Sequence, residues 1–397
     1  MNQRLPEDAE PNALSRLLAA RRRGGGAGVA ARPILDLTVT NPTAAGLIAL
    51  DEVMRAALSH PRASRYDPDP RGLLEAREAI ASEFGRPEAP LDPAHLFLTS
   101  STSESYAHLF RLLCAPGDDV VVPRPSYPLL EPIARLECVR LESYRLAHDG
   151  RWRLDLESLE AAVGSRTRAI VLVEPNNPTG SVLSGEERRA VEALAERRGV
   201  ALIADEVFGE FPWEEGRALP TWAGARSVPT FVLGGISKSC GLPQIKLGWI
   251  ALNGPATAVE RFAHGLDWIL DLFLSVGTPV QIALPQLLAG RGAFRDAALA
   301  RVRSNLGAWH RWAAGSGASV LEADGGWSAM LRLPSRASPD RDPAEWALEE
   351  ADVLLHPAYF YDLEDDRHLI ASLLTEPALL DEALGRLRHG IDPPKSG

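Results

Sequence analysis

A lysine follows a short apolar segment in the second half of the chain. Residues 231–236 are mostly apolar, Ser237 and Lys238 come next, and a loop containing Gly and Pro leads to a second lysine, Lys246. A short apolar run bounded by Gly and Pro favours a buried strand. A lysine just beyond such a strand lies where open α/β sheets bind ligands, and a desolvated lysine amine can form a Schiff base with a carbonyl group. Taken alone, however, a lysine is most often a solvated surface residue.

A polar segment that opens a predicted helix is a candidate anion site. Residues 98–103 read Leu-Thr-Ser-Ser-Thr-Ser, and a helical pattern begins there. Backbone N–H groups at a helix N-terminus, with Ser and Thr hydroxyls beside them, suit a phosphate group. The same residue types also form ordinary helix caps, which is the simpler interpretation of this segment by itself.

Two further loops carry polar side chains directly after apolar segments. Asn176 and Asn177 precede Pro-Thr-Gly, and Asp205 follows the apolar residues 202–204. By itself, the first loop is typical of a tight turn and the second of a helix cap. Pyridoxal phosphate, however, needs an amine for its aldehyde, an anion site for its phosphate, a carboxylate for its ring nitrogen and a donor to its ring oxygen. The four loops together supply each of these groups and therefore indicate a pyridoxal phosphate site.

Alternating strands and helices are predicted to position these loops. Helical segments such as residues 185–198 separate apolar runs that are short enough for strands, which favours βαβ units and a mainly parallel sheet. The C-terminal third mixes a long helix, residues 293–314, with short strands and two more helices. It is predicted to form an α+β companion domain with part of the N-terminal arm. The strand candidates of the first part are residues 95–98, 119–122, 138–143, 169–173, 200–204 and 230–234.

Composition and charge limit the classes of function. The chain has 397 residues, 45% hydrophobic and 24% charged, which is ordinary for a globular enzyme. Its formal net charge of −11 argues against a nucleic-acid partner. Its 3 cysteines lack CxxC spacing, which favours a reducing compartment and argues against a structural zinc site. Since it shows neither a secretory signal nor an uncharged run of about 18 residues, we expect a cytoplasmic protein with no membrane partner.

Several motifs make the chain resemble the class I/II aminotransferases, which are fold-type-I pyridoxal-phosphate enzymes. The resemblance covers residues 35–390, and the order and spacing of the motifs carry it. In chain order the motifs are Tyr66-Asp67-Pro68 with Gly72, Pro116-Gly117-Asp118, Pro125-Ser126-Tyr127-Pro128, Asn177-Pro178-Thr179-Gly180, Asp205-Glu206-Val207-Phe208, and Ser237-Lys238-Ser239 with Gly241-Leu242-Pro243.

The resemblance implies an α/β fold with two domains. A mainly parallel seven-stranded sheet, sandwiched by helices, is expected in a large cofactor-binding domain at residues 46–285. Residues 286–397 are expected to form a smaller α+β domain. Residues 1–45 are expected to form an N-terminal arm and part of that small domain.

The resemblance also implies a role for each matching residue. Lys238 would form the Schiff base and, once released, move the proton from the substrate's Cα to the cofactor's C4′. Asp205 would pair with the ring nitrogen, Asn177 would donate to the phenolic oxygen, and Tyr127 would stack on the ring. The expected partners are small-molecule amino acids and oxo acids, and the expected assembly is a homodimer with a shared active site. The residues implied to hold the phosphate are Ser100, Ser101, Thr102 and Ser103, with Ser237 or Lys246, and Tyr66 from the neighbouring subunit.

Three positions depart from the family pattern near the cofactor. Phe208 stands where a tyrosine hydroxyl is common, and losing that donor is expected to raise the pKa of the Schiff base. Lys246 stands where arginine is common, so a point charge replaces a bidentate fork. Ser101 stands where glycine is usual.

The C-terminal strand departs most. The family commonly has an arginine there that binds the substrate's α-carboxylate, whereas residues 368–373 read His-Leu-Ile-Ala-Ser-Leu and place Ile370 at that position. Arg367 would lie on the opposite face of the strand, since side chains alternate. Either another group binds the carboxylate, or the substrate is not presented as an ordinary α-amino acid. The other arginines left open for this role are Arg22, Arg71 and Arg332.

The main prediction is a pyridoxal-phosphate-dependent aminotransferase that acts through a Lys238 Schiff base on an amino acid and a 2-oxo acid or other carbonyl. The alternative is a pyridoxal-phosphate-dependent lyase or decarboxylase on the same scaffold. A DNA-binding regulator is disfavoured, because about 35 residues before the fold are too few for a DNA-binding module. Trp327, Tyr359, Phe360 and Tyr361 are expected near the substrate and favour a bulky or apolar side chain.

Overall fold

The computed structural model of the protein describes residue 4 and residues 11–23, 32–47, 51–334, 342–363 and 367–391. The predicted N-terminal arm, residues 1–45, lies partly outside these ranges. The α-helices are α1 (Ala13–Arg23), α2 (Asp51–Leu58), α3 (Leu74–Phe84), α4 (Thr102–Leu113), α5 (Leu130–Leu136), α6 (Leu156–Ala162), α7 (Gly185–Arg198), α8 (Ile236–Ser239), α9 (Ala256–Phe273), α10 (Thr278–Ala289), α11 (Arg291–Ser316), α12 (Pro343–Ala351) and α13 (Pro377–Ile391). The strands are β1 (Leu35–Asp36), β2 (Leu96–Thr99), β3 (Asp119–Arg124), β4 (Arg140–His148), β5 (Trp152–Leu154), β6 (Thr167–Val173), β7 (Ala201–Asp205), β8 (Thr230–Gly235), β9 (Gly248–Asn253), β10 (Ser319–Val320), β11 (Ser328–Arg332), β12 (Val353–Leu354), β13 (His356–Pro357) and β14 (His368–Ser372).

Eight strands form one sheet, in the order β2-β9-β8-β7-β6-β3-β4-β5. The central strands β8, β7, β6, β3 and β4 run parallel to one another, whereas β9 is antiparallel to both of its neighbours. The short strand β5 forms an antiparallel hairpin with β4 at the edge of the sheet. The predicted α/β fold with a mainly parallel sheet is confirmed, and β5 adds an eighth strand to the seven expected.

Alternate residues of the central strands belong to two different hydrophobic cores. On β6, Ile170 and Leu172 pack in one core with α3, α7 and α10, whereas Ala169 and Val171 pack in the other with α4, α5 and α9. Parallel strands are apolar at nearly every position because helices cover both faces of the sheet. The sheet is therefore held rigidly, and its polar loops are confined to the strand ends.

A second, antiparallel sheet organises the C-terminal part, in the order β10-β11-β14-β13. One of its faces carries Leu331 and Ala371 into a third core with α11, α12 and α13. Its other face carries Met330 and Ile370 into a small cluster. Strand β1 pairs with β12, so the N-terminal segment packs with this α+β part. The predicted domain boundaries at residues 45 and 285 remain a prediction.

No helix in the described ranges is both long enough and apolar enough to cross a membrane.

Candidate active site

The carboxyl ends of three adjacent parallel strands meet at one cavity. Strands β6, β7 and β8 pair in register, so that Val173 lies beside Asp205 and Asp205 beside Leu233. The chain carries Asn177 shortly after β6, ends β7 at Asp205, and turns from β8 into α8, which contains Lys238. All three polar side chains line a cavity of about 500 Å³. This position, beyond the carboxyl ends of parallel strands, is where open α/β sheets bind ligands.

Most residues predicted for the site line this cavity. Ser100 does not line it, and its backbone N–H donates to the Glu104 carboxylate at 2.6 Å. Tyr66 is 80% exposed and lines a different cleft, beside Leu274. The predicted residues that do line the cavity are Ser101, Thr102, Ser103, Tyr127, Asn177, Asp205, Phe208, Ser237, Lys238 and Lys246.

The Lys238 amine lies against two aromatic rings that also pack against each other. Its Nζ lies 5.5 Å from the ring centre of Phe208 and 5.2 Å from that of Trp327. Burial lowers the pKa of Lys238, and the negative charge of Asp205 partly offsets that effect. The amine is therefore unprotonated more often than a lysine in water, and an unprotonated amine is the form that attacks a carbonyl group.

The Asp205 carboxylate is also buried, with 6% of its surface exposed. Burial raises its pKa to about 6, while the N–H of Val207, the hydroxyl of Tyr106 and the charge of Lys238 act in the opposite direction. The Tyr106 hydroxyl lies 3.1 Å from the carboxylate, and burial raises the pKa of Tyr106 as well, so it stays a neutral donor. These contacts orient the carboxylate, and both direct donors are neutral. Asp205 therefore fits a ligand that brings a cationic N–H group.

Helix α4 begins at the edge of the cavity. Ser101 caps it, because its hydroxyl accepts the N–H of Glu104 at 3.2 Å. The N–H groups of Thr102 and Ser103 lie in the first turn, where backbone donors lack intrahelical acceptors. Ser101 has an extended backbone with φ of −171°, which explains why a residue other than glycine is tolerated there. The helix start thus fits a phosphate group.

Two more polar groups line the cavity. Ser237 lies in α8, one residue before the buried lysine. Lys246 lies on the loop between α8 and β9, with a left-handed backbone at φ of 63°. A left-handed conformation is uncommon for a residue with a side chain and often marks a functional loop. The residues around the cavity therefore fit the cofactor that the sequence predicts.

The loop that carries Asn177 is fastened to the small antiparallel part of the protein. The N–H of Gly180 donates to the carbonyl of Asn176 at 2.7 Å, and the Gly180 carbonyl accepts the N–H of Gly325 at 3.0 Å. Gly180 has φ of 66°, and a Cβ atom there would lie 2.5 Å from the carbonyl oxygen of Gly325. Only glycine fits this contact, which fixes the loop between the two sheets.

Tyr127 lies on the side of the cavity that faces the C-terminal part. Burial and the charge of Asp205 raise the pKa of Tyr127, so it stays neutral. The N–H of the preceding residue, Ser126, donates to the carbonyl of Tyr361 at 3.1 Å. This bond brings the rings of Tyr127 and Tyr361 to the same cavity.

The arginines considered for the substrate's carboxylate do not line the cavity. Arg71 makes a bidentate contact with Asp267, and Arg332 lines a separate cleft. Arg22 is exposed on α1, and Arg367 lies just before β14. Ile370 is 2% exposed and packs against apolar residues. Among the described residues that line the cavity, the basic side chains other than histidine are the two lysines, Lys238 and Lys246, and none is an arginine.

Several residues of the cavity escape prediction from the sequence. Tyr106, which lies behind the cavity and donates to Asp205, could have been found as the residue one helical turn after Thr102 on α4. The aromatic segment after β13 is placed correctly only in part, since Tyr361 lines the cavity and Tyr359 and Phe360 do not. Other lining residues were given no role from the sequence; these are Thr40, Val207, Ser328 and His356.

Comparison with known proteins identifies relatives of this chain. The family model for aminotransferase class I and II matches residues 32–308. Tyrosine aminotransferase of Mus musculus is 30% identical over 262 residues, which cover 65% of this chain and 58% of that protein. Alanine aminotransferase of Mycobacterium tuberculosis is 27% identical over 353 residues, which cover 87% of this chain and 77% of that protein. The matched region thus spans less than two thirds of the mouse protein.

Solved structures share the fold. Alanine aminotransferase from Pyrococcus furiosus superposes with a TM-score of 0.84 at 22% identity, covering 95% of this chain and 96% of that one. Tyrosine aminotransferase from Leishmania infantum superposes with a TM-score of 0.83 at 22% identity, covering 98% and 99%. At this level of identity the likeness establishes the fold.

Proposed function

The chain belongs to the class I and II aminotransferase family, and we propose that it is a pyridoxal-phosphate-dependent aminotransferase. It would move an amino group between an amino acid and a 2-oxo acid or another carbonyl compound. The observation that carries the proposal is the convergence of Lys238, Asp205 and Asn177 on one cavity, with the start of α4 at its edge. The relatives named above are aminotransferases, which favours transamination over elimination or decarboxylation.

Pyridoxal phosphate is the cofactor that we propose for this cavity. When bound, it supplies an aldehyde that condenses with amines and a protonated ring that withdraws electrons. Lys238 would hold it through Nζ, Asp205 would keep its ring nitrogen protonated, and Asn177 would donate to its ring oxygen. The phosphate would lie at the start of α4, beside Ser237 and Lys246.

Lys238 would also move the proton. Burial lowers the pKa of its amine, which favours the unprotonated form that can act as a base. Once freed by an incoming amine, Nζ would take the proton from the substrate's Cα and return it at the cofactor's C4′. Phe208 and Trp327, which pack against each other beside the amine, would keep water from this proton.

We also propose a homodimer in which Tyr66 reaches the partner's phosphate site. Supporting it, Trp268 and Leu272 on α9 are each 68% exposed, and Phe273 is 49% exposed. Large apolar side chains grouped on a surface are typical of an interface. The residue after α9, Leu274, lines the same cleft as Tyr66, so this apolar surface and Tyr66 are neighbours. The cytoplasmic location and the absence of a nucleic-acid partner are proposals that rest on the sequence alone.

The test of the proposed function is a half-reaction without an acceptor. Protein loaded with pyridoxal phosphate is mixed with L-alanine, L-tyrosine or L-glutamate, and the spectrum is recorded. We expect the visible band to give way to pyridoxamine phosphate, with one oxo acid formed per site. Release of ammonia or carbon dioxide in place of the oxo acid would support a lyase or decarboxylase and contradict the proposal.

A further inference from the structure

A histidine lies beside the position where a carboxylate-binding arginine is expected. In the antiparallel pair β13–β14, His356 is directly opposite Ile370. Directly opposite residues point to the same face of a sheet, with Cβ atoms about 5 Å apart. Ile370 is buried in the apolar cluster, whereas His356 lines the cavity. The imidazole therefore reaches the cavity from the strand adjacent to the expected position.

His356 and Tyr361 form a hydrogen-bonded pair at this end of the cavity. The Nδ1 atom of His356 lies 3.1 Å from the Tyr361 hydroxyl, and both side chains line the cavity. The bond between the Ser126 N–H and the Tyr361 carbonyl holds the backbone of Tyr361, and pairing with β14 holds that of His356. Neither residue is assigned to the cofactor, so the pair is available to a substrate.

We propose that His356 and Tyr361 bind the α-carboxylate of the amino-acid substrate, and that His356 takes up a proton from solvent as the carboxylate binds. The inference rests on the proposed function and names the carboxylate-binding residues of the same site. They take the place of an arginine, and they make recognition of the carboxylate dependent on pH.

The hydrogen-bonding capacity of the pair explains the need for the proton. In neutral imidazole one ring nitrogen is a donor and the other an acceptor. The pair then has two donors, one imidazole N–H and the tyrosine O–H. One of them makes the hydrogen bond between His356 and Tyr361, so a single donor is left for a ligand. In the imidazolium form, Nδ1–H donates to the tyrosine oxygen, and both Nε2–H and the tyrosine O–H can donate outward. Two donors match the two oxygens of a carboxylate, and one of them is charge-assisted.

Burial of His356 favours a neutral ring until a carboxylate arrives. Burial lowers the pKa of His356, and the charge of Asp36 on β1 raises it by a smaller amount. Burial raises the pKa of Tyr361 to about 12, so the tyrosine stays a neutral donor. A carboxylate at hydrogen-bond distance would raise the pKa of His356 and make proton uptake part of binding.

The other elements packed against His356 add little charge on its side. On β14 the neighbour is the apolar Ile370, and His368 and Arg332 lie farther along and line a separate cleft. Helix α12 packs on the opposite face of the sheet, in the core that contains Leu331 and Ala371, and its acidic residues Glu345, Glu349 and Glu350 do not line the cavity.

The experiment compares donors that differ only in the carboxylate. Rates of the half-reaction are measured for L-alanine against ethylamine and for L-phenylalanine against 2-phenylethylamine, with wild type, His356→Gln and Tyr361→Phe. A control is His148→Gln, because His148 is an exposed histidine that lines the separate cleft. We expect His356→Gln to lower kcat/KM for the amino acids by about tenfold or more, since a charge-assisted bond is lost. Tyr361→Phe should act in the same direction, and neither variant should alter kcat/KM for the amines by more than about twofold.

The pH profile gives a second measurement. The ratio of kcat/KM for an amino acid to that for its matched amine cancels steps common to both donors. In wild type this ratio should fall, by up to about tenfold per pH unit, as pH rises above the pKa of His356, because the imidazolium is lost. The ratio should be flat in His356→Gln. Equal losses for both donors in the variants, or a flat ratio in wild type, would overturn the inference.

Binding without turnover separates this inference from the proposed function. If no donor reacts, the proposed function fails and the inference is judged on binding alone. Calorimetric titration with 3-phenylpropionate in two buffers of different ionisation enthalpy then counts the protons taken up. Uptake by wild type and by His148→Gln, but not by His356→Gln, would support the inference. Absence of uptake, or of binding, in wild type would overturn it.

Discussion

Burial sets the protonation states of Lys238 and Asp205, the two ionisable side chains at the centre of the cavity. It lowers the pKa of the lysine and raises that of the carboxyl group, so both shift toward their neutral forms. The charge that each carries partly restores the ionised form of the other. A cationic ring N–H would give Asp205 the counter-charge that its neutral donors, Val207 N–H and Tyr106, do not supply. Cofactor binding and ionisation of Asp205 are therefore expected to be linked.

Replacing Asp205 by Asn should stabilise the cofactor-free protein at neutral pH. The folded-state pKa of about 6 lies above the unfolded value of about 3.9, so the native state binds more protons between these values. The free energy of unfolding contributed by this group is fully present below about pH 4 and falls as pH rises to about 6. Urea unfolding of the apoprotein at pH 7 should thus show Asp205→Asn to be more stable than wild type, by roughly 1–3 kcal/mol.

The same variant should bind pyridoxal phosphate more weakly and react slowly, because the ring nitrogen loses its anionic partner. At pH 4 the two apoproteins should have similar stability, which serves as the internal control. If the wild-type apoprotein were more stable than the variant at pH 7, burial of the ionised Asp205 carboxylate would not destabilise the folded state, and this explanation would be wrong.

A hydroxyl added at Phe208 should lower the pKa of the lysine-bound cofactor. The Phe208 ring lies beside Lys238 and packs edge-on against Trp327. A tyrosine there can donate to the cofactor's ring oxygen and stabilise the deprotonated form. We expect Phe208→Tyr to lower the pKa of the Schiff base by about one unit, because a hydrogen bond to a charged group stabilises it by a free energy of that size. Spectral titration of the loaded protein measures it, and an unchanged or raised pKa would contradict the interpretation of this position.

At the scale of elements, the ends of the parallel strands could be predicted from the sequence. The residues that the C-terminal part brings to the same cavity could not. Strands β6, β7 and β8 are continuous apolar runs, so their carboxyl ends and the polar residues after them stand out, as with Asp205 and Lys238. His356 lies instead on a strand of two residues, β13, whose position depends on pairing with β14. No local pattern marks such a strand, because long-range packing determines it.

The contact between Gly180 and Gly325 is expected to hold the Asn177 loop in place. Gly180→Ala should lower the free energy of unfolding for two reasons. An alanine is strained in the left-handed backbone conformation, and its Cβ would also lie 2.5 Å from the Gly325 carbonyl oxygen. The matched control is Gly117→Ala, since Gly117 has φ of 87° but no atom within 4 Å of its Cβ position. We expect about 1 kcal/mol for the control and at least twice that for Gly180→Ala.

The Gly180→Ala protein should also turn over more slowly, because Asn177 shifts with the loop. Urea unfolding and half-reaction rates on both variants check these expectations. Equal stability losses for the two glycine variants would mean that the contact with the small sheet has no energetic role.

At the scale of the whole molecule, the cavity is completed by residues from distant parts of the chain. Thr40 comes from the N-terminal segment, and Ser328, His356 and Tyr361 come from the C-terminal part. The family resemblance predicts the cofactor side of the site, where motifs have fixed spacing. It does not predict the substrate side, because Ile370 stands where the arginine is expected and the residue that we propose instead, His356, lies on a different strand.

A shared active site predicts complementation between defective subunits. Tyr66→Phe homodimers should bind the cofactor weakly, and Lys238→Ala homodimers should be inactive. Mixed dimers would contain one site with an intact Lys238 and the partner's intact Tyr66, so mixing should restore up to about a quarter of wild-type activity if subunits exchange at random. Light scattering of each protein checks the assembly state. Activity of the mixture no higher than that of the separate proteins would contradict a site completed by Tyr66.

Covalent attachment of the cofactor to Lys238 is the central claim, and one measurement tests it directly. The chain contains three lysines, Lys238, Lys246 and Lys395, so few attachment sites compete. The loaded protein is reduced with borohydride, digested, and mapped by mass spectrometry. We predict a pyridoxyl group on Lys238, and no visible band in Lys238→Ala. A pyridoxyl group on another lysine, or none on a protein that transaminates, would contradict the assignment.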